Sequence, residues 1–454
     1  MEARLSRRLL VAALGAALVL AAGPAYGADQ GIFPYPIHTV VLENGLRLVM
    51  VPMPTPGVVD FETVVRAGSR NEVEPGRTGY AHFFEHMMFR GTPLYPEERY
   101  RRVLDVLGAD HNGSTDMDRT AYYIMLPSSG LRQVIAMEAD RFRNLRYSIE
   151  QFRKEAGAVL GELAIDRSRP ETVLEETRLA LAFHRHPYGH TTIGFEADVR
   201  GMPDGYDYSL LFYDRYYRPE SCVILVAGDF DPAQVENLVR AQYDGWPRGG
   251  SLPEIPEEPP LEGPVRRDLV WEGPTRPILD LSFRTPAYDE KTLSTASLEL
   301  IREAYFGTTS DLYRELVLER RWLESVSASF ERTRNPYLFI VTARLLDPAD
   351  FEIVRQRILA TLQQAGDRPI GEKRLEDAKR RLLATMALSL DTPGGVNWRL
   401  SGFLSLTGDP NSIEHHFAAV AAASPADLME AARHYLTPSN SITVTLATKG
   451  QHSP

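Results

Sequence analysis

The stretch His82-Phe83-Phe84-Glu85-His86 places two imidazoles four residues apart, with a carboxylate directly before the second. In a helix, residues four apart lie one above the other on one face. Two neutral imidazoles so placed can grip one zinc ion. Glu85 then stands beside the metal, where a general base for a water activated by the ion belongs. The order H-x-x-E-H is the inverted form of the zinc-protease helix. A helix with two incidental histidines is the plain alternative, so the reading needs a third ligand.

The surrounding sequence supports a helix there. Gly79-Tyr80-Ala81 leads in, and Gly91 before Thr92-Pro93 is a C-terminal stop. Phe84, Met87 and Met88 fall on the face away from the histidines and can anchor it in a core. Further along, Ser148-Ile149-Glu150-Gln151 is a capping-box pattern. Ile149, Phe152, Ala156, Val159, Leu160 and Leu163 then recur at helical spacing, and the helix must end before Pro170. Glu155 and Glu162 lie two turns apart on nearly one face. Either could give an oxygen ligand. From periodicity alone both read as solvated surface acids, because helices carry many of them. The spacing of His184, His186 and His190 suits a metal, but Pro187 and Gly189 make that segment a turn.

The chain has 454 residues, enough for two domains with their own cores. Its 43% hydrophobic and 24% charged content is that of a globular protein. The net charge of −11, without a basic block, argues against nucleic acid as a partner. Arg4, Arg7 and Arg8 precede an apolar run of 14 residues, Leu9 to Ala22. Gly23-Pro24 and Ala25-Tyr26-Gly27 follow, so residues 1–27 read as a secretory signal peptide cut before Ala28. The run is short for a span, and no other stretch would hold the cleaved chain in a bilayer. The expected compartment is the periplasm. Cys222 is the only cysteine, which leaves metal ligands to His, Asp and Glu.

His38 to Leu42 and Leu46 to Val51 flank Glu43-Asn44-Gly45 as a hairpin. Asp60 to Ala67 and Thr120 to Leu126 read as further strands, Tyr100 to Leu107 as a helix, and Asp110 to Asp118 as turn-rich. This mixture predicts an α+β domain over 28–247. Residues 248–265 are crowded with Pro and Gly and read as a linker, followed by a second domain over 266–454. Tyr217-Arg218-Pro219 runs into the apolar Cys222 to Ala227, and Tyr435-Leu436-Thr437-Pro438 runs into Ile442 to Leu446. The two prolines are half a chain apart, which predicts two homologous halves. Only the first carries H-x-x-E-H.

The run Gly79 to Thr92 closely resembles the zinc motif of the pitrilysin/insulinase peptidases, nearest to the processing-peptidase-like bacterial branch. Asn112-Gly113-Ser114-Thr115, His186-Pro187-Tyr188-Gly189, Tyr217-Arg218-Pro219 and Gly228-Asp229 continue the likeness, which covers roughly residues 38–450. It is specific in the first half and weak in the second. In that family a distal glutamate completes the metal site, and the matching position, 76 residues beyond His86, is Glu162. An acidic residue seven positions earlier supports the family's site and matches Glu155. The resemblance implies two similar α+β halves facing each other across a peptide-sized chamber. It also implies Zn2+ held by His82, His86 and Glu162, with Glu85 as general base in peptide hydrolysis. Asn112, Ser114 and Thr115 would lie on a strand edge to which a peptide substrate adds, where their sequence alone suggests an ordinary hairpin.

The chain also departs from the family. Complete members carry an Arg and a Tyr seven apart in the second half, and the matching positions here are Val317 and Glu324. Neither can do the work of a guanidinium or a phenol. The resemblance therefore implies a zinc-bearing subunit whose homologous partner supplies the pair. A homodimer that manages without it is the alternative. Two rival functions are a catalytically silent scaffold and a periplasmic zinc- or peptide-binding protein. An intact triad plus Glu85 speaks against the scaffold, which needs none of the four.

Overall fold

A computed structural model describes residues 32–450, and the signal peptide read in residues 1–27 lies outside them. From Tyr35 onward the chain is one compact unit. It is α+β, with two sheets packed by helices. Among the described residues no helix is long and apolar enough to cross a membrane.

The first sheet contains β1 (His38–Val41), β2 (Arg47–Pro52), β3 (Val58–Val65), β4 (Asp110–Thr115), β5 (Thr120–Pro127) and β6 (Cys222–Gly228), in the order β1-β2-β6-β3-β5-β4. Only β2 and β6 pair in parallel. The second sheet contains β7 (Val265–Trp271), β8 (Ile278–Thr285), β9 (Leu323–Phe330), β10 (Tyr337–Leu345) and β11 (Ser441–Thr448), in the order β7-β11-β8-β10-β9. There too a single pair is parallel, β7 with β11, and it lies at the sheet's edge. Apart from β1, the second sheet repeats the order and chain connectivity of the first. No helix or strand lies between Tyr243 and Val265. That segment is held by Glu258, whose Oε2 accepts from the backbone N–H of His184, Arg185 and His186 at 2.7–2.9 Å.

Five helices of the first half matter here: α1 (Tyr80–Met87), α2 (Glu97–Leu107), α3 (Leu131–Asn144), α4 (Ile149–Asp166) and α5 (Pro170–Ala182). Alternate residues of β3 divide its two faces. Val59, Phe61 and Val65 join Phe83, Phe84, Phe142 and Phe152 in the first core. Asp60 and Glu62 are buried on the opposite face, where the helix Pro393–Thr407 of the second half packs. Conversely, α5 packs on β7, β8 and β11 of the second sheet. The halves thus exchange one helix each.

The third residue of each central strand meets the incoming helix. Asp60 of β3 accepts from Asn397 at 2.7 Å, and Asp280 of β8 pairs with Arg178 of α5 at 2.8 Å. Both aspartates are nearly inaccessible, so each needs its partner to offset desolvation.

Candidate active site

Helix α1 carries the two histidines. Its core face, Phe83, Phe84 and Met87, is completely buried, and burying each such side chain stabilises by about 1.5–3 kcal/mol. The chain enters it through Gly79 at φ 90°, where a Cβ would come within 2.5 Å of the Ile193 carbonyl oxygen. Gly91, also at positive φ, ends the helical turn that follows. Phe83 packs on Phe152 of α4 with ring centroids 5.0 Å apart, tying the two helices together. Helix α4 starts at the expected capping box, where Ser148 Oγ accepts from Gln151 N and Gln151 Oε1 accepts from Ser148 N.

These two helices bring His82, His86 and Glu162 together. Glu162 Oε2 lies 3.7 Å from His82 Nε2 and 3.5 Å from His86 Nε2. Among the described residues, this is the one group of three such side chains whose ligand atoms converge, all within 4.8 Å of one another. The separations are too long for hydrogen bonds. They match what a shared zinc ion demands, because two tetrahedral bonds of about 2.05 Å put their donor atoms about 3.3 Å apart.

The hydrogen bonding of His86 suits the same purpose. His86 Nδ1 stands 2.9 Å from Glu155 Oε1, so it holds the proton and leaves Nε2 free to donate a lone pair. Glu155 is buried despite its charge. Burial raises its carboxyl, but His86 and Arg90, whose Nε is 2.6 Å away, outweigh that and bring it down to about 2. The His86 imidazole is raised, chiefly by its bond to Glu155. Burial, and then repulsion from His86, lowers His82 to about 4, which keeps it neutral and ready to ligate at neutral pH.

Glu85 stands on the open side of α1, towards β4. Thr115 Oγ1 donates to its Oε2 at 2.7 Å, and burial pushes its carboxyl upward against that bond. Gly113 lets the strand approach closely, since a Cβ there would meet Glu85 Cγ at 3.0 Å. Asp110 to Thr115, which reads as turn-rich, is therefore strand β4. It lies last in the sheet and bonds only to β5, so its outer edge is unpaired. Asn112, Ser114 and Thr115 all sit on it, but Thr115 holds Glu85. Asn112 joins Glu85, Phe89, Tyr100 and His111 around a cavity of about 350 Å³.

His186 and His190 are buried in the turn and hydrogen-bond locally, to Tyr188 N and Thr191 O. Val317 packs partly on the second core, and Glu324 is half exposed near Arg276. Sequence reasoning missed Arg90, and also Glu72, whose carboxylate accepts from the first N–H groups of α1. Arg90 was within reach, being a cation one helical turn beyond His86 and able to meet Glu155.

Known proteins point the same way. Residues 51–195 match the profile described as Insulinase (Peptidase family M16), and residues 206–382 match the one described as Peptidase M16 inactive domain. The chain belongs to the M16, or insulinase, family of peptidases. The zinc protease PqqE of Helicobacter pylori is 25% identical over 90% of this chain and 92% of its own. An uncharacterized zinc protease of Mycobacterium bovis is 28% identical over 87% and 90%. The crystal structure of a protease from Helicobacter pylori superposes with a TM-score of 0.86 at 24% identity, covering 91% of this chain and 99% of that one. That of the first half of the periplasmic protease PqqL from Escherichia coli gives 0.72 at 19%, covering 90% and 92%.

Proposed function

We propose that the chain is a zinc-dependent metalloendopeptidase that cleaves peptides or unfolded segments. The observation that carries this reading is the convergence of His82, His86 and Glu162 beside Glu85. Zn2+ bound there would supply a Lewis acid that polarises a carbonyl and acidifies a neighbouring water. His82 and His86 turn their Nε2 atoms toward Glu162, and Glu155 fixes the second ring by its hydrogen bond. Glu85 takes the proton of the attacking water and returns it to the leaving amine nitrogen. Its raised carboxyl suits both steps, and Thr115 keeps it aimed. A substrate strand pairs with the free edge of β4, so backbone hydrogen bonds hold it with little sequence preference.

Val317 and Glu324 leave the second half without the Arg and Tyr that complete the family's site. We therefore assign the missing pair to a homologous partner subunit. The amino-terminal run of residues 1–27 and the periplasmic relative support export to the periplasm.

Hydrolysis of a quenched peptide library tests the reading. Activity should vanish with a chelator, return with zinc, and fall about 10²–10⁴-fold in Glu85→Gln with zinc retained. A Glu85→Gln protein near wild-type activity would remove Glu85 from its role.

A further inference from the structure

The amino end of α1 has no cap of its own. Gly79 has no side chain to offer, and the first turn carries no acid. Glu72, from the turn before it, fills that place. Its Oε2 accepts from Gly79 N and its Oε1 from Ala81 N, each at 2.7 Å. The residue is almost wholly inaccessible, at 3% exposure. His190 Nε2 lies 3.8 Å from Oε2 on one side. On another, Asp198 takes the N–H and hydroxyl of Thr78 and fixes the approach to the helix.

His82 is the third residue of α1, directly after Ala81. The first turn of a helix carries about half a positive charge, which opposes a cation held there. A divalent ion on His82 would feel that charge. A carboxylate on the same N–H groups cancels it. Burial raises the Glu72 carboxyl to about 8, against the opposing pull of the backbone N–H groups of Ala81, Gly79 and Tyr80. Both oxygens accept from those N–H groups, and a cation on His82 would draw the carboxyl back toward its ionised form.

We propose that Glu72 is a positioning residue for the metal site. By clamping the first turn of α1 and neutralising its positive end, it sets how tightly His82, His86 and Glu162 hold a divalent cation. This rests on the metal-site reading above.

The test is zinc affinity of the full chain, measured by competition with a chromophoric chelator. Glu72→Gln keeps the shape but loses the charge and one acceptor. Glu72→Asp keeps the charge on a shorter arm. Glu72→Gln should bind zinc about tenfold more weakly, with Glu72→Asp between it and wild type. The melting temperature should drop only by the loss of one buried cap bond, while the position of the Co2+ absorption band should stay near wild type, since the three ligands are unchanged. Wild-type affinity in Glu72→Gln would overturn the proposal. So would loss of the fold in both variants, which would assign Glu72 to folding alone. If wild type itself bound no zinc, the site reading would fail and this inference with it.

Discussion

At the scale of single residues, Glu155 decides how His86 is presented. Removing it in Glu155→Ala strips the proton acceptor from His86 Nδ1 and leaves Arg90 without its closest partner. Loss of such a supporting bond typically costs 10–100-fold in metal affinity. Chelator competition should show a drop of about that size, with His82, His86 and Glu162 still bound to the ion. The histidine pair and Glu85 were legible from spacing alone, because four residues are one helical turn. Glu162 was not. Periodicity put it on a face with Glu155 and could not say which of the two faces α1, and only family spacing singled it out. The structure separates them by burial, with the Glu155 side chain 2% exposed and that of Glu162 44%. Glu72 left no signal, since a carboxylate in a turn has no period to betray its target.

At the scale of elements, the exchanged helices carry the interface between the halves, and its charges predict a pH response. Burial lifts Asp60 to about 6, with the Asn397 bond opposing and Asp110 adding. Burial lifts Glu62 to about 7, with Arg119 opposing and Asp60 adding. Asp60 Oδ1 and Glu62 Oε1 have no hydrogen-bond partner, as expected of groups that prefer to stay neutral. Both carboxyls bind protons more tightly folded than unfolded. Their contribution to stability is therefore full below about pH 4 and is lost as pH rises to about 7. Urea unfolding should show this part of the stability falling by about 4 kcal/mol between pH 5 and pH 8, and Glu62→Gln should flatten the slope. Asn397→Ala, which strips Asp60 of its donor, should cost about 1–3 kcal/mol in the same assay. The hairpin, the capped start of α4 and the strands around Pro219 and Pro438 could be read from turn and cap chemistry. Strand β4 could not, because its run Asp-His-Asn-Gly-Ser-Thr has turn composition and is held in the sheet by β5 alone. Nor could the helix exchange, since an apolar face shows that α5 packs but not on which sheet.

At the scale of the whole molecule, the strand order is repeated but the metal motif is not. The second half keeps the strand order and lacks H-x-x-E-H, and its Val317 and Glu324 are the ground for the proposed division of the site between two subunits. The chain alone should therefore cleave a quenched peptide weakly. A homologous chain that carries an Arg and Tyr seven apart but no H-x-x-E-H should raise the rate by at least about 10²-fold. Full activity without any partner would reject the divided site. The most direct measurement is the zinc content of the dialysed chain and its variants. Wild type and Glu85→Gln should each retain one zinc per chain, while His82→Ala and Glu162→Ala, folded by circular dichroism, should retain almost none. Stoichiometric zinc in Glu162→Ala, or none in wild type, would contradict a single ion shared between α1 and α4.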